Sequence, residues 1–358
     1  MEGDHNSKLF HAKASARKKK NTISMLVDDE GRIQTSEEGI THTVCSFFSQ
    51  LFQSDNPSIE ELDEATVGLS CKINGHKNGI ISCPFEREEV RALILEMGPT
   101  KAPGPDGFRV VFFQKFGEVV GEDVEEICVK VCVKVLNREL SIKEFNQTHV
   151  VLVPKVKNPQ SMKEFRPISC CRVIYKDVSK CLANRLKLIL PDIIYPCQSE
   201  FVPDRLIFDN VLISFELLHS IHHRKKGKKG LVAIKLDMSK AYDRVEWNFL
   251  RCVMEKLGFP HQWIELVMEC LSTSNLSFVI NGQVMGKMVP SRGLRQGCPL
   301  SPYLFILCAE VLSNVIKRVE NNGRGLGIRC CRGVPLVSHL FFVDDSILFC
   351  KASLKNGL

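Results

Sequence analysis

Apolar residues first recur at helical spacing at Val44, Phe47, Phe48, Leu51 and Phe52, which predicts an amphipathic helix over 38–53. Residues 1–22 are polar and basic, a segment expected to be flexible or helical only against a partner. Residues 54–84 mix turn formers with scattered apolar positions and read as a connector. Pro84 to Val90 carries acids where a helix would start, and that helix should stop near Gly98. Lys101 to Gly107 is a dense turn signal, and helical periodicity returns over 108–136 with a break near Gly117–Gly121. His149 to Val153 is a short β-branched strand, 155–164 a polar loop, and Val173 to Leu190 a helix closed by Pro191. The run Leu231 to Asp237 has the near-continuous apolar character of a buried central strand that ends in an acid. Helices are predicted at about 240–257 and 261–272, followed by a hairpin on Asn281-Gly282 and a helix over 301–320 with Pro302 in its first turn. Val337 to Val343 and Ser346 to Phe349 form a last hairpin with Asp344 and Asp345 at its tip.

Composition narrows the class. The 358 residues are 44% hydrophobic and 25% charged, enough apolar material for a sizeable core in about two domains. No apolar stretch approaches the ~20 residues of a membrane span, and Met1 to Ser7 is too polar for a secretory signal. The 16 cysteines show no Cys-x-x-Cys spacing. They read as reduced, buried small hydrophobes of an intracellular protein, nuclear or cytoplasmic, with no disulfide partner. The formal net charge of +7 is concentrated in Arg17 to Lys20 and His222 to Lys229. Such runs suit a polyanion, nucleic acid first, and equally suit a solvated tail and loop.

Candidate chemistry lies in the acids. Asp237 ends one apolar strand, and Asp344 and Asp345 turn the last hairpin. A carboxylate at a buried strand end needs compensation, by Lys or Arg or by a cation. Carboxylates alone favour a hard ion such as Mg²⁺, and two such ions about 4 Å apart can serve an in-line phosphoryl displacement. An ordinary turn with a strand-end cap remains the alternative.

Three blocks then occur in order: Leu236-Asp-Met-Ser-Lys-Ala-Tyr-Asp-Arg-Val245, Arg292-Gly-Leu-Arg-Gln-Gly-Cys-Pro-Leu-Ser-Pro-Tyr303 and Phe341-Phe-Val-Asp-Asp345. They resemble the A, B and C motifs of reverse transcriptases, most closely those of plant LINE-type (non-LTR) retrotransposons. Val153-Pro-Lys155 and Phe165-Arg-Pro-Ile-Ser169 resemble that family's fingers motifs, Lys101 to Phe108 its turn before the fingers, and Lys8 to Asn21 the segment that links its endonuclease to its polymerase. The resemblance implies an α+β right-hand polymerase with fingers and palm: a basic linker region over 1–84, fingers over 85–230, palm over 231–358, and a reverse transcriptase domain over about 145–358. The palm sheet would be antiparallel with packed helices. The thumb would be absent, since 13 residues follow Asp345.

The family's chemistry would carry over residue by residue. Asp237 and Asp344 would hold two Mg²⁺ ions, or Mn²⁺, with Asp345 in support and the Met238 carbonyl as a further ligand. Lys155 and Arg166 would bind the incoming deoxynucleoside triphosphate, Gln296 and Gly297 would meet its sugar and the templating pair, and Tyr242 would be the sugar gate. The partners would be an RNA template and a DNA primer, with no membrane. A surface ion pair, a plain loop and a core aromatic are the structural alternatives for these three sets. Val343 stands where the family usually has Ala, and Asp177, Glu200 and Asp204 also depart from its pattern. Two functions follow: RNA-directed DNA synthesis, or a catalytically inactive, transposon-derived RNA-binding remnant or maturase-like protein. The three acids are expected on adjacent strands of one antiparallel sheet, and exposed apolar surface near Phe341, Phe342 and Phe349.

Overall fold

The computed structural model describes residues 8–115, 123–224, 230–322, 326–331 and 333–352. The expected break at Gly117–Gly121 and the lysines at 225–229 lie outside them. The described chain is α+β. It opens with helix α1 (Lys8–Asn21), the short strands β1 (Leu26–Val27) and β2 (Ile33–Gln34), and helix α2 (Glu37–Leu51). Helices α3 (Ile59–Thr66), α4 (Gly75–Ser82), α5 (Arg87–Glu96), α6 (Val110–Lys115) and α7 (Asp123–Leu136) follow. Strands β3 (Gln147–Pro154) and β4 (Phe165–Cys171) precede helices α8 (Val173–Ile193) and α9 (Ile207–His222). Next come β5 (Leu231–Asp237), α10 (Trp247–Leu257), α11 (His261–Ser272), β6 (Asn275–Ile280) and β7 (Gln283–Met288). The last elements are α12 (Ser301–Asn321), β8 (His339–Phe342) and β9 (Asp345–Lys351).

Besides the antiparallel β1–β2 pair, the described residues form two larger sheets. One has the order β4-β3-β6-β7, and its central pair β3–β6 is parallel. The other is antiparallel in the order β5-β9-β8. A large helical core joins α5, α7, α8 and α10–α12, with Val178, Leu182, Leu186, Leu250 and Ile306 fully buried. A second core packs α2 on the β3–β6 side, through Val44, Phe48, Val150, Leu152 and Phe278. Phe48 stacks on Phe278 with ring centroids 4.8 Å apart.

Several expectations change. Residues 8–21 are helical without a partner and exposed where their side chains are described. The 54–84 connector contains α3, started by the Ser58–Glu61 capping box and set against α10 where Thr66 meets Cys252, and α4, whose Ile80 and Ile81 pack into the helical core. Pro191 does not end α8. It sits in the last turn, where it withholds an N–H from the Lys187 carbonyl, and the buried Leu190 and Ile193 hold that turn closed. β5 is an edge strand, half-buried at its start and exposed from Lys235 to Asp237. The reason is that β9, not β5, is central: one side of β5 has a strand and the other has none among the described residues. Phe341 and Phe349 are buried, so exposed apolar surface does not gather there. It gathers on α9, where Phe208, Leu212 and Phe215 are 71%, 61% and 64% exposed. Cys71, Cys83, Cys330 and Cys331 are exposed rather than buried, and all 16 cysteines are free. No helix among the described residues is long and apolar enough to cross a membrane.

One turn fixes local geometry that matters later. Asn281 and Gly282 both take positive φ (51° and 90°), the pairing that a two-residue hairpin between β6 and β7 requires. The Asn281 side chain also clamps the N-terminal segment. Its Oδ1 accepts from Ile23 N at 2.8 Å, and its Nδ2 donates to Ile23 O at 2.9 Å.

Candidate active site

The ends of both sheets meet at a cleft of about 860 Å³. One wall comes from the β3–β4 sheet. Val153 and Arg166 are register partners, and Lys155 N donates to Glu164 O at 2.8 Å, so Lys155 and Arg166 leave the same end of this pair. Both side chains are exposed and line the cleft. Lys155 Nζ donates to the Lys163 carbonyl at 3.1 Å, and Arg166 forms no ion pair among the described residues. Lys163, Lys240, Arg244 and Arg292 add to the cationic lining.

The opposite wall comes from the β5-β9-β8 sheet and the loops that follow it. Asp237 and Asp345 are register partners across β5 and β9, and Asp344 lies in the β8–β9 turn. Asp237, Met238 and Asp344 line the cleft, whereas Asp345 is drawn to Lys235, Nζ to Oδ1 3.0 Å. Neither Asp237 nor Asp344 forms an ion pair among the described residues. Asp237 is exposed, so the strand end is not buried as expected, and the Lys235 ammonium shares its charge without an ion-pair contact. Burial and the Asp344 charge together raise the Glu200 carboxyl. The same causes, with Glu200 added, push the Tyr242 phenol well above its ordinary value.

The β8–β9 tip is held from outside. Phe341 N donates to Cys197 O at 2.9 Å, and Asn210 Nδ2 bonds the carbonyls of Cys197 and Phe341 at 3.0 and 2.9 Å. The Gln198 side-chain oxygen accepts from Val343 N at 3.4 Å and Glu200 N at 3.2 Å. Val343 itself has φ 53°, an outlier for a β-branched residue. This strand-to-tip framework fixes where Asp344 leaves the backbone.

Tyr242 stacks on Phe305 of α12, with centroids 4.8 Å apart and planes 9° from parallel, and its edge lines the cleft. Its carbonyl accepts from Leu294 N at 2.7 Å, and Val245 O accepts from Gly293 N at 2.8 Å. The turn after β5 is thereby zipped to the loop that carries Gln296. Gln296 lines the cleft, and its carbonyl accepts from Ser169 N at 2.9 Å. Gly297 does not line it. Its φ is 95°, and an added Cβ would lie 3.3 Å from the Ser169 carbonyl. The need for glycine there is met by the backbone conformation.

Sequence reasoning passed over several residues of this region. Asp243 is buried behind Tyr242. Burial pushes its carboxyl up to about 6, partly offset by the Lys240, Lys155 and Arg244 charges. Arg295 is buried under the loop. It donates to Asn146 Oδ1 at 2.6 Å, Thr148 Oγ1 at 3.0 Å and Cys270 O at 2.7 Å, and it stacks on the Tyr175 ring. Arg292 pairs with Glu246 and Asp55. The signal available was the charge of the motif blocks themselves, where Asp243, Arg292 and Arg295 stand beside residues already singled out. Phe47, Gln50 and Asp29 bring the N-terminal segment into the cleft wall, a non-local placement with no sequence signal.

No group of three or more His, Cys, Asp or Glu side chains is arranged to hold a metal ion among the described residues. Magnesium does not require one. It is bound through one or two carboxylates, with waters and substrate phosphates completing its shell. Asp237 and Asp344, two hard oxygen donors with no ion-pair contact among the described residues, fit that demand.

Residues 153–356 match the family described as reverse transcriptase (RNA-dependent DNA polymerase). The chain is 30% identical over 307 residues to the transposon TX1 uncharacterized 149 kDa protein of Xenopus laevis, covering 86% of this chain and 23% of that protein. It is 28% identical over 209 residues to the retrovirus-related Pol polyprotein from a type-2 retrotransposable element of Drosophila melanogaster, covering 58% of this chain and 18% of that protein. An uncharacterized mitochondrial protein of Arabidopsis thaliana is 56% identical over 71 residues, 20% of this chain and 58% of that protein. The chain therefore spans less than two thirds of each of these relatives.

Proposed function

The chain belongs to the reverse transcriptase family, and from that premise we propose that it is the polymerase segment of a LINE-type retrotransposon enzyme, extending a DNA primer along an RNA template with deoxynucleoside triphosphates. The observation that carries this reading is that one cleft is lined both by the carboxylates of Asp237 and Asp344, which form no ion pair among the described residues, and by Lys155 and Arg166. The high local identity to an Arabidopsis protein supports a plant element. On this reading residues 85–230 are fingers, 231–358 palm and 1–84 the linker, with the reverse transcriptase domain starting near 145. The partners are nucleic acids inside the cell.

The chemistry follows from the charges. The primer 3′-oxygen attacks the α-phosphorus, a new P–O bond forms, and pyrophosphate leaves with the electrons of the broken bond. Asp237 and Asp344, with Met238 O and Asp345 in support, would hold two Mg²⁺ ions, replaceable by Mn²⁺, which would supply Lewis-acid stabilisation of the phosphoryl oxygens. Arg166 offers a planar fork to the triphosphate and Lys155 a point charge. Both hold the leaving pyrophosphate in place. Tyr242, braced by Phe305, presents its ring edge toward the nucleotide sugar, and Gln296 supplies a donor and an acceptor beside it.

The test is primer extension on an RNA template with Mg²⁺ or Mn²⁺. Template-directed incorporation is expected, and it should disappear in Asp237→Asn and Asp344→Asn. A chain that binds primer–template tightly and extends nothing with either metal overturns the enzymatic reading and leaves an RNA-binding remnant.

A further inference from the structure

We propose that the outer face of helix α9 is a self-association surface, pairing antiparallel with α9 of a second copy of this chain about a two-fold axis between Val211 and Leu212. Leu206, Phe208, Val211, Leu212, Phe215 and Leu218 present this face, each between 46% and 71% exposed. At roughly 200 Å² for a whole aromatic side chain and somewhat less for leucine, they offer on the order of 700 Å² of apolar surface. The largest apolar patch of a typical monomer is about 300–600 Å², and a stable pair buries about 800 Å² on each partner. One helix therefore presents nearly the area that a dimer needs, before its neighbours add to it.

The order of side chains along α9 says what fits that face. Phe208, Val211, Phe215 and Leu218 follow one another at steps of three and four, the spacing of a helix-pairing seam. Phe208 and Phe215 stand equally far from the midpoint between Val211 and Leu212. A reversed copy of the helix sets Phe208 against the partner's Phe215 and Phe215 against the partner's Phe208, the reciprocal contact that a two-fold interface demands. The polar groups favour the same alignment. Asp204 and Asp209 lie at the start of α9, and Glu216 and His219 in its second half, all of them exposed. Reversal brings Glu216 to the start of the other helix, where the helix dipole favours an anion, and His219 to the end that carries Asp204. A parallel pair would align acid with acid along the seam. The inner side of α9 is already committed. Asn210 Nδ2 donates to the Cys197 and Phe341 carbonyls at 3.0 and 2.9 Å, and Leu217 is buried with Leu340 and Phe349. The outer face is thereby held on the sheet that carries Asp344, and a face fixed in advance loses little ordering entropy on pairing.

Sedimentation equilibrium of the full chain, nuclease-treated and in about 0.3 M KCl to screen stray charge contacts, reads the mass between about 0.1 and 50 µM protein, a range that spans the micromolar end of such interfaces. The mass should rise from 40.4 kDa to twice that value. Hydrophobic dye bound per chain should fall over the same range, as the stripe that is open in the dilute monomer closes. Leu212→Lys places like charges beside the axis and should weaken association by roughly 100-fold or more. Phe208→Ser combined with Phe215→Ser should do the same by removing the reciprocal contact. Ile33→Lys, at an apolar position of β2 that is 63% exposed, should leave the dimer intact. Far-ultraviolet circular dichroism checks that each variant keeps its fold. A parent chain that stays monomeric at the top of the range overturns the proposal. So does a mass that climbs past the dimer without a plateau, which is unselective stickiness. So do a dimer that survives both α9 variants, which pairs through another surface, and an association that appears only with added RNA, which makes the strand the bridge. DNA synthesis is not measured, so the outcome is independent of the polymerase reading.

Discussion

Asp237 and Asp345 face one another as register partners across β5 and β9, yet Lys235 bonds Asp345, at 3.0 Å, and meets Asp237 through charge alone, so that Asp237 lines the cleft. Asp237 and Asp344 are therefore the pair expected to act on the substrate side, with Asp345 a step removed. Single-nucleotide incorporation should fall by roughly 100-fold or more in Asp237→Asn and Asp344→Asn, the scale of losing one preorganised electrostatic group. Asp345→Asn should cost about tenfold or less, by releasing Lys235 toward its neighbours. Equal losses at all three positions would show that Asp345 carries as much of the chemistry as the other two.

Tyr242 should choose between sugars. Its ring is packed face to face on Phe305 and cannot yield without losing that contact. Tyr242→Phe keeps the stack and should keep the preference for deoxynucleotides. Tyr242→Val should admit ribonucleotides while lowering stability by about 1–3 kcal/mol through the lost ring. Misincorporation assays with matched ribo- and deoxynucleotides check this. A parallel fall for both substrates would assign the ring to the fold alone.

Asp177 makes stability depend on pH. It is fully buried in α8 with the Cys132 thiol as the one neighbour toward its carboxylate among the described residues, and burial pushes its carboxyl from 3.8 up to about 7. The Cys132 thiol and the Lys180 charge offset this only in part. A carboxyl whose pKa is raised on folding binds its proton more tightly in the native state. Its contribution is intact below about pH 4 and is lost as pH rises to about 7, by up to about 4 kcal/mol. Asp177→Leu restores the apolar face of Ile174, Val178, Cys181 and Leu182. Its urea midpoint should exceed that of the parent at pH 8, and the gap should narrow at pH 5. A gap that does not change with pH would place the effect in packing rather than ionisation.

The sequence made the acids and their turn legible because each sits where a strand pattern stops, and strand ends are local. Asn281-Gly282 and the Ser58–Glu61 capping box are local too, although the second lay unread within residues taken as a connector. Pairing partners are not local. Nothing between 147 and 154 announces a parallel neighbour at 275–280, and nothing in Leu231 to Asp237 says that its strand lies at an edge. The same holds for Asp29, Phe47 and Gln50, which reach the cleft only through packing of α2 on the β3–β6 sheet. Helix α9 went unassigned because it is apolar around most of its circumference, a pattern without a clear period.

That helix should dominate surface behaviour. Phe208, Leu212 and Phe215 present a contiguous apolar stripe, unlike the scattered apolar residues of an ordinary surface. Replacing the three by Ser, Lys and Ser should reduce binding of a hydrophobic dye severalfold and raise the concentration at which the protein precipitates. Far-ultraviolet circular dichroism should change little, since the buried contacts of α9 run through Asn210 and Leu217. Unaltered dye binding would locate the sticky surface elsewhere.

The clamp between Ile23 and Asn281 joins residues 258 positions apart. At about 5–20 residues per second of synthesis, Asn281 leaves the ribosome roughly 13–50 s after Ile23. Through that interval Ile23, Leu26, Val44 and Phe48 have no Leu276 or Phe278 to close against. The parallel partner of β3 is equally late. The wall that carries Lys155 and Arg166 is thus among the last parts of the nascent chain to find its final neighbours. A ribosome that pauses before residue 275 exposes an unfinished, apolar half-sheet to chaperones and proteases, so codon choice in this stretch becomes a determinant of yield.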